Sequence, residues 1–247
     1  MDKRNLKGTV AVIVSAGLGK RMPRDARKKN FLLLNDRLVL VHTLLPFEKS
    51  SLISAIVIVT GEDDIEHCKE EVVNSYGLKK VLGVIAGGKE RQDSVAEGLR
   101  FIREANLEES LVAIHDGARC LVTTELIDRV IDGARAKGAA AAMVPVKDTI
   151  KESALDGRYV ERTLSRERLY SVQTPQAFDL KLLNRAMEEA IREGFLGTDS
   201  SSLVERIGEK VLIVEGSYEN IKITTAEDLQ VAKRLLSARE AGEKDNG

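Results

Sequence analysis

The sequence predicts an α/β fold, in which a doubly wound, mostly parallel sheet carries an antiparallel β-arm. First, apolar β-branched runs without polar alternation, which are typical of buried parallel strands, recur through the first 145 residues. Second, segments with helical spacing separate these runs, and such alternation is typical of a parallel sheet. Third, the alternation stops after Pro145, and residues 146–177 show the alternating pattern of an antiparallel arm.

Each predicted element rests on its own local pattern. Strands are expected, in order, at 9–14, 55–60, 81–86, 111–114, 139–144 and 211–214. Helices are expected at 41–49, 62–74, about 92–104, 124–137, 179–193, 199–206 and 225–239. Pro46 weakens the first helix, whereas Thr123 or Thr124 can cap the fourth. A short extended segment at 31–40 turns at Asn35-Asp36-Arg37. We expect one domain over residues 1–240 and a polar tail over 241–247.

Composition narrows the classes of function. The net charge of −1 gives no overall attraction to nucleic acid or to a membrane surface. No apolar run reaches 18 residues, and the first residues lack the apolar region of a signal peptide. Cys68 and Cys120 are far apart and form no CxxC motif, so neither a zinc site nor a disulfide framework is indicated. We therefore expect a cytoplasmic protein that binds neither nucleic acid nor membranes.

The segment from Ser15 to Lys29 indicates a polyphosphate site. Small residues and glycines follow the first strand, which lets the backbone approach a ligand closely. Six cations follow within ten residues: Lys20, Arg21, Arg24, Arg27, Lys28 and Lys29. Backbone N–H groups beside such a cluster suit a nucleoside triphosphate.

Two familiar phosphate loops do not fit this segment. A Walker loop is excluded because Val14 stands at its first glycine and Arg21 at its Ser or Thr. A dinucleotide fingerprint is excluded because Met22 stands at its third glycine. Its ribose-binding acid, expected about 20 residues on at a strand end, is also missing.

Three loops that follow predicted strands, at 15–29, 87–94 and 115–119, indicate one composite site. Ligands of doubly wound sheets bind beyond the carboxyl ends of the strands. Asp116 is a candidate Mg²⁺ ligand, with a turn or capping role as the alternative. Gly88 and Ser94 suit a base or ribose, although a tight turn with a capping serine explains them equally well.

Other polar residues have simpler explanations. His115 is expected to be a packed histidine at a strand end. Asp199 can be a helix N-cap, and Lys222 can be a solvated lysine. No G-x-S-x-G elbow and no Ser/His/Asp or Cys/His pattern is present in the sequence, which disfavours covalent hydrolase chemistry.

Taken together and in order, these motifs resemble the 2-C-methyl-D-erythritol 4-phosphate cytidylyltransferase family of non-mevalonate isoprenoid synthesis. The resemblance covers residues 8 to about 235. It is carried by Ala16-Gly17-Leu18-Gly19-Lys20-Arg21-Met22, Lys29-Asn30-Phe31-Leu32, Gly88-Lys89-Glu90-Arg91-Gln92-Asp93-Ser94-Val95, His115-Asp116-Gly117-Ala118-Arg119, Pro145-Val146-Lys147-Asp148-Thr149, Gln173-Thr174-Pro175-Gln176, Thr198-Asp199 and Glu219-Asn220-Ile221-Lys222.

The resemblance implies a Rossmann-like nucleotidyltransferase fold and transfer of a cytidylyl group from CTP to a sugar-alcohol phosphate, with release of pyrophosphate. It implies catalytic roles for Arg21, Lys29, Asp116 and Lys222, and makes Asp116 the protein ligand of Mg²⁺. The nucleotide-binding residues it implies are Ser15, Ala16, Gly17, Gly19, Gly88, Ser94 and Gly117. The residues it implies for the sugar phosphate are Arg119, Thr149, Arg166, Thr174 and Lys222.

The resemblance also implies a homodimer in which the arm crosses to the partner, so that Arg166 and Thr149 serve the neighbouring site. Some positions depart from the family pattern: Ser15, Gly117, Cys120, Ser165 and Glu219 replace other common residues. Two alternatives stay open: a ribitol-5-phosphate cytidylyltransferase, and a non-catalytic nucleotide-binding protein on the same fold.

Overall fold

The computed structural model describes residues 8–17, 29–107 and 111–245 of the chain. In chain order the strands are β1 (Thr9–Val14), β2 (Leu33–Leu34), β3 (Arg37–Leu38), β4 (Ile53–Thr60), β5 (Val81–Ala86), β6 (Leu111–Asp116), β7 (Ala139–Pro145), β8 (Lys151–Ser153), β9 (Val160–Thr163), β10 (Tyr170–Asp179) and β11 (Leu212–Glu215). The α-helices are α1 (Val39–Lys49), α2 (Ile65–Cys68), α3 (Arg91–Glu104), α4 (Thr124–Lys137), α5 (Leu180–Arg192), α6 (Ser200–Arg206) and α7 (Ala226–Asp245).

Seven strands form the main sheet, in the order β11-β7-β10-β6-β1-β4-β5. All of its pairs are parallel except those of β10, which runs antiparallel between β6 and β7. Val14 on β1 is in register with both Val59 on β4 and Asp116 on β6. The carboxyl ends of these three central strands therefore lie side by side, as the prediction of a composite site requires.

Helices cover both faces of this sheet. Ile13 faces the layer formed by α1 and α4, whereas its neighbour Val12 faces α3, α5 and α6. Both side chains are fully buried, which contributes roughly 1.5–3 kcal/mol each. Burial on two faces is the physical reason why β1 is a continuous apolar run and not an alternating one. The predicted doubly wound fold is confirmed.

Most element boundaries follow the sequence prediction to within two residues. The first helix forms although it contains Pro46, because most of its residues are buried in the core. Residues 62–74 are helical as expected, but only Ile65–Cys68 is α-helical and Lys69–Asn74 is a π-helical turn. Thr123 caps α4 by accepting a hydrogen bond from the Leu126 N–H at 3.3 Å.

The predicted arm boundary at residue 177 is wrong. Residues 170–177 belong to β10, which is inserted between β6 and β7 in the main sheet. Polar residues such as Gln173 and Gln176 hide this strand in the sequence, although both side chains are buried. The separate antiparallel hairpin consists only of β8 and β9.

The predicted polar tail from residue 241 is also corrected, because α7 continues to Asp245. Its chemistry is polar as expected, but its backbone is helical. Among the residues that the structure describes, no helix combines the length and the hydrophobicity that crossing a membrane would require.

Candidate active site

The first part of the site is a hydrogen-bonded junction at the carboxyl ends of β1, β4 and β6. The Ser15 N–H donates to the Val59 carbonyl at 2.7 Å, and the Gly117 N–H donates to the Val14 carbonyl at 2.8 Å. The Asn30 amide donates to the carbonyl and to Oγ of Ser15, at 2.8 and 2.7 Å. This junction fixes the start of the glycine-rich loop against the end of β6.

Three chain segments, which follow β1, follow β5 and begin α3, approach each other closely at the predicted nucleotide-binding loops. A Cβ atom on Gly87 would lie 2.5 Å from the Ala16 Cβ and 2.7 Å from the Ser94 Oγ, so only glycine fits. A Cβ on Gly88 would lie 2.3 Å from the Cβ of Asp93. The structure therefore brings Ala16 and Ser94 together around the turn that contains Gly87 and Gly88. Nucleotide binding by these loops stays a prediction.

Asp116 is the last residue of β6 and the centre of an ion-pair cluster. Its Oδ1 accepts a hydrogen bond from the Arg91 Nε at 2.9 Å, and its Oδ2 accepts one from the Lys222 Nζ at 2.7 Å. The Arg119 Nε lies 3.8 Å from Oδ2. Three cations thus surround one carboxylate whose side chain is only 10% exposed.

The charge of this carboxylate is fixed by its neighbours. Burial by itself would raise the pKa of Asp116, but the adjacent Arg91, Lys222 and Arg119 hold that pKa well below its usual value. Asp116 is therefore ionised at any working pH. Because the cations outnumber the carboxylate, the cluster retains positive charge, which suits an anionic ligand such as a phosphate.

Lys222 is therefore not a solvated lysine. The segment that carries it is fixed to β10, because Asn220 donates its amide to the Thr174 carbonyl at 2.8 Å. The Arg119 guanidinium donates to the Asn220 carbonyl at 2.8 Å, and the Ile223 N–H donates to the Ala118 carbonyl at 2.9 Å. These bonds hold Lys222 beside Asp116.

His115 is a packed structural histidine, as the sequence analysis expects. Its Nδ1 lies 3.0 Å from the Thr174 Oγ1, and its ring packs on Phe47. Complete burial lowers the pKa of His115 to about 3, so that the ring is neutral. The Thr174 hydroxyl also accepts the Asp116 N–H at 3.0 Å, and this threonine is buried. Its contacts show how Thr174 positions the end of β6; its contact with a sugar phosphate stays a prediction.

Asp199 is the N-cap of α6, as its position before a helical segment predicts. Its carboxylate accepts the Ser202 N–H at 3.0 Å and the Gln176 amide at 2.6 Å. The same Gln176 accepts the Ser200 N–H at 3.1 Å. Burial by itself would raise the pKa of Asp199, but hydrogen bonds from the Ser201 hydroxyl, the Ser202 N–H and the Gln176 amide lower it. The contacts of Gln176 fix α6 against β10.

Several predicted residues lie away from this cluster or outside the described residues. Arg21 and Gly19 fall outside the described residues. Lys29 is half-buried beside Asn30. Thr149 and Arg166 are exposed near the base of the hairpin, where the Arg166 Nη1 donates to the Lys147 carbonyl at 2.9 Å.

Arg91 contacts Asp116, and Gln92 contacts the loop before α6; neither is among the predicted site residues. They begin α3 shortly after the glycine turn, and they lie within the motif Gly88-Lys89-Glu90-Arg91-Gln92-Asp93-Ser94-Val95. Gln92 donates to the Phe195 carbonyl at 3.0 Å and accepts the Gly197 N–H at 2.8 Å, which ties the loop before α6 to α3.

The fit of the site to Mg²⁺ follows from the same geometry. Within the described residues no group of three or more His, Cys, Asp or Glu side chains is arranged to hold a metal. Asp116 can supply one carboxylate. Each of its oxygens accepts one hydrogen bond and so keeps a lone pair that can bind a metal ion. One carboxylate together with substrate phosphates is a usual Mg²⁺ environment. The residues therefore fit a Mg²⁺ ion that takes its other ligands from a triphosphate.

Neither cysteine contributes a nucleophile. Cys68 and Cys120 are buried, and burial raises the pKa of each thiol to about 12. Thiolate chemistry is therefore disfavoured at both positions.

Comparison with known proteins identifies the family of the chain. The family model "2-C-methyl-D-erythritol 4-phosphate cytidylyltransferase" matches residues 9–238. A protein of that name from Geotalea uraniireducens is 45% identical over 92% of this chain and 96% of its own length. Another, from Syntrophus aciditrophicus, is 42% identical over 94% of this chain and 97% of its own.

Solved structures give the same result. The crystal structure of the 4-diphosphocytidyl-2C-methyl-D-erythritol synthase from Anaerococcus prevotii superimposes with a TM-score of 0.81, at 35% identity, over 94% of this chain and 96% of that one. The cytidylyltransferase from Thermus thermophilus gives a TM-score of 0.71 at 31% identity, over 92% and 98% of the two chains. The chain, with its arrangement of β1, Asp116, Arg119 and Lys222, therefore belongs to the 2-C-methyl-D-erythritol 4-phosphate cytidylyltransferase family.

Proposed function

We propose that this protein transfers the CMP part of CTP to 2-C-methyl-D-erythritol 4-phosphate, giving 4-diphosphocytidyl-2-C-methyl-D-erythritol and pyrophosphate. The observation that carries the proposal is the cluster at Asp116. A buried carboxylate surrounded by Arg91, Arg119 and Lys222 lies at the end of β6, beside the end of β1 where the glycine-rich loop begins. Such a cluster can hold two phosphorylated substrates next to each other.

The reaction forms one bond and breaks one. A phosphate oxygen of the sugar alcohol attacks the α-phosphorus of CTP, and the bond from that phosphorus to the bridging oxygen of pyrophosphate breaks. No general base is needed, because the attacking phosphate is already ionised. Catalysis then depends on bringing two anions together and on stabilising charge on the phosphoryl oxygens.

The residues of this chain have separate tasks in that scheme. The loops that carry Ala16, Gly88 and Ser94 receive the cytidine. Ser15, Gly17, Gly19 and Gly117 are the further residues that we assign to the nucleotide. Arg21 and Lys29 neutralise the triphosphate, and Arg119 and Lys222 the sugar phosphate. Thr174 fixes the backbone of Asp116, to which it is hydrogen-bonded at 3.0 Å.

We further propose that catalysis requires Mg²⁺, with Asp116 as its protein ligand. When bound, the ion neutralises charge on the phosphate oxygens. Because three cations surround Asp116, a further positive ion is repelled from the free protein. We therefore expect Mg²⁺ to bind this site only together with CTP. Calorimetric titration of Mg²⁺ into the protein should show no binding at this site without CTP, and binding that is lost in Asp116→Asn with CTP.

The β8–β9 hairpin supports a homodimer. Leu155, Tyr159 and Val160 on it are 109%, 73% and 62% exposed, and Val172 near its base is 39% exposed. Within the described part of their own chain, such apolar side chains on a two-stranded hairpin lack a surface to pack on. A two-fold axis would let two hairpins bury each other and would place Arg166 and Thr149 in the partner's site.

Because CTP is a cytoplasmic metabolite, we place the protein in the cytoplasm.

Pyrophosphate release tests the function directly. The protein is mixed with CTP and Mg²⁺ and with either 2-C-methyl-D-erythritol 4-phosphate or ribitol 5-phosphate. We expect release only with the former. Release with ribitol 5-phosphate alone would replace the proposed substrate. CTP binding without release in either mixture would favour the non-catalytic alternative.

A further inference from the structure

We propose that Arg91 is a positioning residue for this reaction: it holds Asp116 in place so that Lys222 can leave the carboxylate and bind the substrate phosphate. This inference rests on the proposed function. Arg91 lies at the start of α3 and contacts Asp116. Within the described part of the chain it contacts no residue that is predicted to bind substrate.

The two hydrogen-bonded cations occupy different oxygens of Asp116. Arg91 binds Oδ1 through Nε at 2.9 Å, and Lys222 binds Oδ2 through Nζ at 2.7 Å. Lys222 can therefore depart without breaking the bond from Arg91. A buried carboxylate that lost its only partner would be strongly destabilised, so the bond from Arg91 is what makes the departure possible.

The two cations also differ in how firmly they are held. The Arg91 side chain is 25% exposed, and its Nη1 lies 3.4 Å from the Ser200 Oγ, so its guanidinium has contacts at the ends of two elements. The Lys222 side chain is 35% exposed and carries its charge on a flexible stem. Lys222 is accordingly the cation that exchanges partners, and Arg91 the one that stays.

The structure also contains a donor that can take the place of Lys222. The Arg119 Nε is buried without a hydrogen-bond acceptor among the described residues, and it lies 3.8 Å from Oδ2 of Asp116. When Lys222 leaves Oδ2, a small shift of the carboxylate brings this oxygen to Arg119. Asp116 then keeps one arginine on each oxygen while Lys222 binds phosphate.

The test compares Arg91→Met and Arg91→Lys with Arg100→Met, an arginine of the same helix that pairs with Glu97 on the surface. We expect Arg91→Met to lower kcat by about tenfold or more and to raise KM for the sugar phosphate, while KM for CTP changes less than about threefold. Arg91→Lys should recover part of kcat, since it restores a cation beside Asp116. Arg100→Met should match the wild type. Equal kinetics in Arg91→Met and Arg100→Met would overturn the proposal.

A double-mutant cycle separates positioning from a general structural effect. If Arg91 acts through Asp116, then adding Arg91→Met to Asp116→Asn should lower kcat by less than about threefold further. If the two substitutions instead lower kcat independently, so that their fold-losses multiply, the proposal is overturned. If Arg91→Met does not fold, Arg91→Lys takes its place in the same cycle.

The proposed function can fail separately. A wild-type protein without cytidylyl transfer would refute that function. Thermal unfolding of the wild type, Arg91→Met, Asp116→Asn and the double variant would then still show whether Arg91 holds Asp116. A smaller loss of stability in the double variant than the sum of the single losses supports the contact, and an additive loss refutes it.

Discussion

At the scale of single residues, Lys29 and Arg21 are expected to stabilise the charge that develops on the triphosphate. We predict that Lys29→Ala and Arg21→Ala each lower kcat by about 10²-fold or more, which corresponds to roughly 3 kcal/mol of transition-state stabilisation. Steady-state pyrophosphate release measures the effect. Lys181→Ala, an exposed lysine on α5, is the matched control. Wild-type turnover in a folded Lys29→Ala protein would remove Lys29 from the catalytic set.

His115 predicts a pH dependence of stability. Its pKa is lowered from 6.5 to about 3 because the ring is completely buried. In the unfolded chain His115 therefore takes up a proton near pH 6.5, whereas in the folded protein it stays neutral down to about pH 3. Stability from this group is complete above pH 6.5 and falls as the pH drops from 6.5 toward 3, by up to about 1.4 kcal/mol per pH unit.

Urea unfolding between pH 7.5 and 4.5 checks this prediction. His115→Asn, which cannot titrate, should lose most of this slope, whatever its absolute stability. His67→Gln, which changes an exposed histidine of α2, should keep it. An unchanged slope in His115→Asn would show that other groups cause the pH dependence.

At the scale of elements, the turn between β5 and α3 depends on a glycine. We predict that Gly87→Ala lowers stability by about 1–3 kcal/mol, because the new Cβ would overlap Ala16 and Ser94. KM for CTP should rise as well, since the same contact shapes the nucleotide pocket. Gly17→Ala is the comparison, because a Cβ there meets none of the described residues within 4 Å and should change stability by less than about 0.5 kcal/mol. Equal stability of the two variants in urea unfolding would contradict the proposed packing.

At the scale of the whole molecule, the exposed hairpin predicts a dimer. Val160→Glu should shift the protein from dimer to monomer in light scattering, because it places a charge within the apolar surface of the arm. Ile191→Glu, at a similarly exposed position on α5, should leave the dimer intact. A wild-type monomer at working concentration would refute the dimer and the sharing of sites.

Mixing two inactive variants tests whether Arg166 serves the partner's site. Combining Arg166→Ala with Lys29→Ala puts both defects into one site of a mixed dimer and leaves the other site intact. Random pairing should then restore up to about a quarter of wild-type activity after subunit exchange. Absence of recovery after demonstrated exchange would place Arg166 in the site of its own chain.

The sequence by itself determined the alternation of strands and helices, because buried parallel strands need continuous apolar runs such as Val10–Val14. It also determined which loops meet, since parallel strands place their carboxyl ends at one edge, where the ends of β1, β4 and β6 do lie side by side. These conclusions depend on local patterns and on a general rule of topology.

Only the tertiary structure decided the partners within that site. The polar sequence around Gln173 gave no sign of a central strand, because its side chains are satisfied by residues that are distant in the chain, such as Asn220 and Ser217. The pairing of Lys222 and Arg91 with opposite oxygens of Asp116 likewise spans more than 100 and 25 residues. Contacts of that kind arise from packing between elements, and no local spacing encodes them.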